Sequence, residues 1–274
     1  PTPRTLSIYE KKKKKYEEHI EELKTFINKS TETADGKKVM LAANIGGADE
    51  AAKAVKDGAE GVGLFRTEFL FLNKNALPTE EEQFEEYKKA AVLTKGMPLT
   101  IRTLDIGGDK DIPYMGLTKE ANPFLGYRAI RFCLDRVDIF TTQLRAILRA
   151  SAYGSIRIMI PMITSVNEVR QVKELIKKIC SDLDRNGINY DKNIQTGIMI
   201  ETPAAAVMAD TLAKEADFFS IGTNDLTQYT IAVDRCNENV AYLYSAFNPA
   251  VLRLIRRIIE CAHNAGIEAG MCGE

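Results

Sequence analysis

Short apolar runs alternate with amphipathic stretches from residue 38 onward. The runs have the length and the Val, Ile, Leu, Met and Phe content that buried parallel strands require. Apolar residues between the runs recur at intervals of three and four, which is typical of helices packed on one side. The seven predicted strands are Val39–Ile45, Gly61–Phe65, Leu99–Leu104, Ile156–Ile163, Thr196–Ile200, Phe218–Ile221 and Glu268–Met271.

Several of the intervening helices carry recognisable N-terminal ends. Thr79 with Glu82, and Ser165 with Glu168, have the spacing of a capping box, in which side chain and backbone bond reciprocally. Asp49 is also predicted to cap the helix that follows the first strand. These ends support a strict alternation of strand and helix along the chain.

Such an alternation predicts an α/β fold, either a barrel or an open doubly wound sheet. No Gly-x-Gly-x-x-Gly segment follows the first strand, so a dinucleotide-binding sheet is not favoured. We therefore predict a TIM-type (β/α)8 barrel, which needs eight strands. Because only seven are found, we expect a barrel cut before its last strand.

The segment before the first strand is different in character. Residues 5–29 are highly charged, with five consecutive lysines from Lys11 to Lys15, and their few apolar residues have helical spacing. We predict a solvated helix that packs along one side. The expected domains are an N-terminal linker helix region, residues 1–37, and the barrel, residues 38–274.

Composition narrows the classes of function. The chain has 274 residues, with 37 basic against 38 acidic ones, which gives no reason to expect a nucleic-acid or membrane partner. Its five cysteines are odd in number and form no Cys-x-x-Cys pair, so neither a disulfide scaffold nor a structural zinc site is expected. No signal peptide is recognisable, and no apolar run reaches the roughly 18 residues of a membrane span. A cytoplasmic location is expected.

Charged or reactive residues follow most of the predicted strands. In an α/β barrel the chemistry lies where the strands end, so residues distant in sequence should meet at one rim. Arginine binds phosphate and carboxylate in a bidentate manner, and Mg²⁺ prefers a few carboxylates together with ligand oxygens. The set predicts a site for an anionic ligand and a divalent metal, formed by Arg66, Arg102, Glu201, Asn224, Asp225 and Cys272.

Each candidate also has a purely structural interpretation. Arg66 could pair with Glu68 at the surface. Arg102 is harder to explain in this way, because it lies within an apolar strand and an unpaired buried charge is costly. The other candidates could be surface charges, a turn residue or a small buried apolar side chain: Arg128, Arg235, Asn224 and Cys272.

Seven separate segments resemble, in the same order, the phosphoenolpyruvate (PEP)-utilising enzymes. Within that family the third strand segment, with its Asp-Ile-Gly-Gly-Asp-Lys sequence, resembles enzyme I of bacterial sugar phosphotransferase systems more than pyruvate phosphate dikinase or PEP synthase. The segments are Gly63-Leu-Phe-Arg-Thr-Glu-Phe-Leu70, Arg102-Thr-Leu-Asp-Ile-Gly-Gly-Asp-Lys110, Asn122-Pro-Phe-Leu-Gly-Tyr-Arg128, Glu201-Thr-Pro-Ala-Ala-Ala206, Ile221-Gly-Thr-Asn-Asp-Leu-Thr-Gln-Tyr229, Asp234-Arg235 and Met271-Cys-Gly-Glu274.

The resemblance implies a role for each ligand-binding residue. Arg66, Arg102 and Arg235 would hold the phosphoryl group that is transferred. Glu201 and Asp225 would ligate Mg²⁺, which would bridge the phosphate and the carboxylate. The remaining binding residues would contact the ligand or add positive charge near it: Lys110, Arg128 and Asn224.

The resemblance also implies chemistry and partners. Cys272 would act as the general acid that protonates the enolate carbon to give pyruvate, although a cationic rim would also tend to lower the pKa of its thiol. The partners would be an N-terminal phosphohistidine domain, through it the histidine phosphocarrier protein, and a second copy of the barrel in a homodimer.

One departure from the family limits what the chain is expected to do alone. The family's acceptor histidine lies in a Gly-Gly-x-Thr-Ser-His-like segment, which does not occur in this sequence. The chain is therefore expected to bind PEP without phosphorylating itself. Three alternatives stay open: a barrel like that of pyruvate phosphate dikinase or PEP synthase, a Mg²⁺-enolate lyase, and a non-catalytic dimerisation module.

Overall fold

Seven parallel strands form one sheet in the order β1 to β7, so each strand pairs with the next one along the chain. The structure is a computed structural model that describes residues 2–27, 29–72, 74–107, 112–117 and 119–273. The strands are β1 Ala42–Ile45, β2 Gly61–Arg66, β3 Leu99–Arg102, β4 Ile156–Ile160, β5 Gln195–Ile200, β6 Phe218–Ile221 and β7 Glu268–Met271.

Helices fill the connections between the strands, as right-handed parallel crossovers require. In chain order they are α1 Pro3–Lys24, α2 Ala48–Lys56, α3 Phe69–Leu72, α4 Glu80–Leu93, α5 Ile130–Asp135, α6 Val137–Ala150, α7 Val166–Arg185, α8 Pro203–Val207, α9 Ala209–Leu212, α10 Thr223–Ile231 and α11 Pro249–Asn264.

The sheet is curled, because side chains from non-neighbouring strands meet across its inner face. Arg157 on β4 donates a 2.7 Å hydrogen bond to Glu268 on β7, although β5 and β6 lie between these strands. The inner face also carries a small apolar layer from four strands, made of Leu64, Met159, Met199 and Phe218. A much larger apolar core lies between the sheet and the helices.

All seven predicted strands are confirmed. The predicted α/β barrel architecture is also confirmed, with seven strands in the sheet. Strands β1 and β7 are the two edges of the sheet, and no eighth strand separates or joins them within the described ranges. At the seam, Asn44 on β1 donates through its side chain to the carbonyl of Cys272, just after β7, at 3.0 Å.

Both predicted capping boxes are present, at Thr79 with Glu82 and at Ser165 with Glu168. The predicted cap at Asp49 is wrong. Helix α2 begins one residue earlier, with the backbone of Gly47 at its cap and Asp49 inside the first turn. In the first turn the carboxylate of Asp49 interacts favourably with the positive end of the helix dipole, but it does not cap the helix.

The predicted N-terminal helix is present as α1, but its expected packing is not. None of its residues is buried, and most of its apolar positions are about half exposed or more, such as Ile8 at 47% and Tyr16 at 66%. Ile20 is partly buried. Lysine–glutamate pairs one turn apart support it instead. The boundary between a linker region and the barrel at residue 38 stays a prediction. Among the described residues, no helix is both long and apolar enough to cross a bilayer.

Candidate active site

A cavity of about 570 Å³ opens where the strands end, at the rim expected to carry the chemistry. It brings together residues separated by up to about 200 positions in the chain. Seven of the predicted site residues line it: Arg66, Arg102, Glu201, Asn224, Asp225, Arg235 and Cys272. Lys110 lies outside the described residues.

Arg102 is buried, and two carboxylates hold its guanidinium. Its Nη2 donates to Glu68 at 2.6 Å, and its Nη1 lies 3.1 Å from Asp105. Burial alone would lower the pKa of Arg102, but the charges of Asp105 and Glu68 raise it above its usual value, so the group stays protonated. The suggested surface pair between Arg66 and Glu68 is therefore wrong: Glu68 is buried and binds Arg102.

Arg128 lies behind the cavity and does not belong to its lining. Its Nη2 donates to Asp105 at 2.9 Å and to Asp225 at 3.3 Å, and its Nη1 donates to the hydroxyl of Tyr229 at 3.1 Å. A single carboxylate, Asp105, thus links the two buried arginines. In this position Arg128 orients Asp225, and any direct contact with a ligand stays a prediction.

Glu201 follows β5 and is 2% exposed. One carboxylate oxygen accepts a 2.6 Å hydrogen bond from the backbone N–H of Met162. Burial, together with the negative charges of Asp225 and Asp105, raises the pKa of Glu201 to about 8. Gly222 makes room for it, because a Cβ there would lie 2.8 Å from Glu201 Oε2.

Asn224 and Asp225 begin α10 directly after β6. The hydroxyl of Tyr244 donates to the backbone carbonyl of Asn224 at 3.2 Å, which ties the following loop to the rim. Arg235, on the same loop, lies 3.8 Å from Asp225. Its backbone N–H donates to Gln228 on α10 at 3.2 Å, so the loop is fixed from both sides.

Cys272 closes the cavity at the end of β7. Its Sγ lies 3.6 Å from the carbonyl of Ile221 and can donate to it. Burial raises the pKa of the Cys272 thiol and outweighs the nearby Arg102 and Arg66, which act in the opposite direction. The cationic rim therefore acts on the pKa of Cys272 in the expected direction, but burial outweighs it, so the net shift is upward and the thiol keeps its proton.

The family model of the PEP-utilising enzymes, for their PEP-binding domain, matches residues 20–274. The chain belongs to this family. Two relatives named phosphoenolpyruvate-protein phosphotransferase match all 274 residues: one from Geobacillus stearothermophilus at 54% identity and one from Bacillus subtilis (strain 168) at 51%. The chain spans 47% and 48% of their lengths.

A solved structure shows the fold of this PEP-binding domain independently. An HpcH/HpaI aldolase/citrate lyase family protein from Burkholderia cenocepacia J2315 superposes with a TM-score of 0.53. The match covers 91% of the domain and 83% of that chain, at 12% sequence identity. At this identity the likeness establishes the barrel fold alone.

The carboxylates of the PEP-binding domain fit a divalent metal. Asp225 Oδ1 is buried without a hydrogen-bond partner. Glu201 lies close to it, because the negative charge of Asp225 helps to raise the pKa of Glu201. Within the described ranges no group of three or more His, Cys, Asp or Glu side chains could hold a metal. Two carboxylates suit Mg²⁺, which completes its coordination with ligand oxygens and water.

Sequence reasoning missed two acidic residues of this domain, Glu68 and Asp105. Both lie within three residues of a candidate arginine, at Arg66-Thr-Glu68 and Arg102-Thr-Leu-Asp105. That spacing was a usable signal, since an arginine inside an apolar strand needs a nearby anion. Glu68 binds Arg102 because β2 and β3 are neighbours and their ends lie side by side, and this contact depends on the register between the two strands.

Proposed function

We propose that this domain binds PEP together with Mg²⁺ and supplies its phosphoryl group to a histidine on a separate domain, releasing pyruvate. This is the first step of a sugar phosphotransferase phosphorelay. The observation that carries the proposal is the convergence of three arginines, three carboxylates and one thiol on a single cavity at the barrel rim. The relatives' name, phosphoenolpyruvate-protein phosphotransferase, supports the same activity.

The arginines account for binding and for transfer. Fixed positive charge for the phosphoryl oxygens comes from Arg66, Arg102 and Arg235. This charge stabilises the negative charge that is spread over these oxygens while the phosphoryl group is transferred. The P–O bond to the enol oxygen breaks, a P–N bond to the acceptor histidine forms, and the bonding electrons remain on the enolate. Arg102 needs no reorganisation for this role, because Glu68 and Asp105 already fix its guanidinium.

Glu201 and Asp225 are the proposed ligands of the metal. When bound, Mg²⁺ would neutralise negative charge on the phosphate, the carboxylate and the enolate oxygen. Arg128 holds Asp225 in place at 3.3 Å, and Met162 fixes Glu201 at 2.6 Å. Asn224 contributes polar groups at the same rim.

Cys272 is the proposed general acid. A protonated thiol at the cavity wall can deliver its proton to the methylene carbon of the enolate, which gives pyruvate and a thiolate. The raised pKa of Cys272 supports this role, because the group must carry a proton before transfer. We also propose, from the sequence resemblance, that Lys110 adds positive charge near the phosphate.

The proposed partners are the phosphohistidine domain, the histidine phosphocarrier protein beyond it, and a second copy of the domain in a homodimer. We propose the cytoplasm as the compartment, which is supported by the absence of any disulfide among the five cysteines, all of them described and free. The aldolase-type alternative has no support beyond the shared fold.

Isothermal titration with PEP tests the proposal, with Mg²⁺ and then with a chelator. We expect saturable binding that requires Mg²⁺ and that is lost in Arg102→Ala. Arg136→Ala is the matched control, because this arginine is 40% exposed and pairs only with Asp138 within the described residues. Absence of binding to the folded wild-type protein with Mg²⁺ present would refute the proposed function.

A further inference from the structure

A buried glutamine lies directly behind the two arginine-bearing segments, outside the cavity. Gln143 belongs to α6 and is 0% exposed. Its Oε1 accepts a 2.8 Å hydrogen bond from the backbone N–H of Leu104, and its Nε2 donates to the hydroxyl of Thr67 at 3.2 Å. The bond from an N–H to Oε1 settles the orientation of the amide group.

These two contacts join the ends of β2 and β3. Thr67 follows Arg66 in the chain, and its hydroxyl in turn donates to the backbone carbonyl of Arg102 at 2.9 Å. Leu104 lies between Arg102 and Asp105. One amide side chain thus bonds to both segments that carry the phosphate-binding arginines, and a hydroxyl bonds them to each other.

The network extends outward to a rigid support. The second N–H of Gln143 donates to the hydroxyl of Tyr87 on α4 at 3.3 Å. Tyr87 donates to Gln83 at 3.2 Å, and Gln83 donates to the carbonyl of Pro78 at 3.1 Å. Each of these hydrogen bonds uses a different N–H or O–H group, all these side chains are buried, and none of their buried N or O atoms is without a partner. Fully satisfied buried networks of this kind hold one geometry, whereas a partly satisfied one is destabilising.

We propose that Gln143 is a positioning residue which, with Thr67, fixes the segments bearing Arg66 and Arg102 relative to each other. The inference rests on the proposed function for its effect on PEP. Gln143 also contributes to stability, because an apolar side chain in its place would leave the buried backbone N–H of Leu104 without this partner. The affinity for PEP, compared with a control that loses another buried hydrogen bond, separates positioning from stability. Misplacement of catalytic groups by about 1 Å can cost up to about a hundredfold in activity.

The test compares Gln143→Leu with Thr94→Val. Thr94 is 0% exposed and its hydroxyl donates to Ala91 at 2.8 Å, at the end of α4 that is remote from the cavity. The variant therefore loses a buried hydrogen bond without touching the arginine segments. In Gln143→Leu we expect PEP with Mg²⁺ to bind about tenfold more weakly and the Leu104 amide to exchange with solvent at least about tenfold faster. Thr94→Val should change neither.

A second pair of variants covers the case in which Gln143→Leu does not fold. Thr67→Val removes the hydroxyl at nearly constant volume, and Thr67→Ser restores it. We expect weaker PEP binding and faster Leu104 exchange in the first, and recovery of both in the second.

Unchanged Leu104 exchange in folded Gln143→Leu, or in Thr67→Val where the first does not fold, would overturn the inference. The inference would also be overturned if Gln143→Leu lost no more affinity for PEP than Thr94→Val does. If wild-type protein fails to bind PEP, the proposed function fails, while the exchange rate at Leu104 still decides whether Gln143 fixes these segments.

Discussion

Arg66 and Arg102 are register partners at the last positions of β2 and β3. Neighbouring parallel strands lie about 4.8 Å apart, and register partners point to the same face of a sheet. The two guanidinium groups therefore start from adjacent backbone positions and reach the same cavity, which both of them line. Strand pairing alone places two cations side by side, before any ligand is present.

Two closely spaced cations repel each other unless negative charge lies nearby. Carboxylates supply that charge next to Arg102. Among the described residues, Arg102 contacts two carboxylates, whereas Arg66 has no carboxylate partner within ion-pair distance. We infer that Arg66 is the more available of the two for an incoming anion and that Arg102 is the more rigid.

Replacing Arg102 with alanine should weaken PEP binding by about 2 to 3 kcal/mol, because charge-assisted hydrogen bonds in a desolvated site have about this strength. The protein should also become less stable, since Glu68 and Asp105 lose a buried cation. Calorimetry and thermal unfolding measure the two effects separately. Arg136→Ala should leave both almost unchanged; a similar loss of affinity in that variant would argue against a specific role for Arg102.

Replacing Glu68 with glutamine should instead strengthen PEP binding. The amide oxygen can still accept the hydrogen bond from Arg102, which is 2.6 Å long in the native protein. A negative charge is removed from the cavity wall. For two unit charges about 8 Å apart, an effective dielectric constant of about 20 corresponds to about 2 kcal/mol before screening. We expect a gain of about 1 kcal/mol, measured by titration at low ionic strength.

The same titration at high salt serves as the internal control for Glu68→Gln. Screening should reduce the gain if it arises from charge. Weaker binding at both salt concentrations would show that Glu68 acts mainly by orienting Arg102.

The alternation of strands and helices was predictable from local pattern, and so was the placement of polar residues at strand ends. Phe218–Ile221 and Glu268–Met271 match the observed strands to the residue. The pattern works here because strands covered on both faces are mostly apolar, so a charged or polar residue directly after an apolar run often marks the end of a strand.

The pairings inside the site were not predictable in the same way. Glu68 is close in sequence to Arg66 and yet binds Arg102, 34 residues away. Gln143 is an ordinary helix residue by its spacing, and its role follows only from the contact of α6 with the ends of β2 and β3. Contacts of this kind depend on tertiary register, which one sequence does not contain.

Replacing Cys272 with alanine should separate binding from proton transfer. The thiol lines the cavity, and within the described residues it forms no ion pair, so the affinity for PEP should change little. Phosphoryl transfer to an added phosphohistidine domain, followed by pyruvate release, should become much slower because the enolate lacks its proton donor. Stopped-flow measurement of pyruvate formation reports this step.

Asn44→Ala is a useful companion to Cys272→Ala. Asn44 donates to the carbonyl of Cys272 at 3.0 Å and so orients the backbone that carries the thiol. We expect pyruvate formation to slow by less than in Cys272→Ala, with the affinity for PEP again preserved. An equal loss of affinity and rate in both variants would contradict the role of general acid.

Glu201 should make the ligand-free protein less stable as the pH rises. Its pKa is about 8 in the folded protein, compared with an ordinary value of 4.5. Between these values the folded state keeps a proton that the unfolded state has released, so the free energy of unfolding falls as the pH increases from about 4.5 to about 8. Thermal unfolding at a series of pH values, with a chelator present, measures this slope.

Glu201→Gln should flatten that slope, because the amide is neutral at every pH and can still accept the hydrogen bond from Met162. Saturating Mg²⁺ should flatten it in the wild-type protein, since a bound cation favours the ionised carboxylate. In Glu201→Gln, Mg²⁺ should stabilise the protein much less. Equal slopes in the two proteins with the chelator present would show that Glu201 is not the source of this pH dependence.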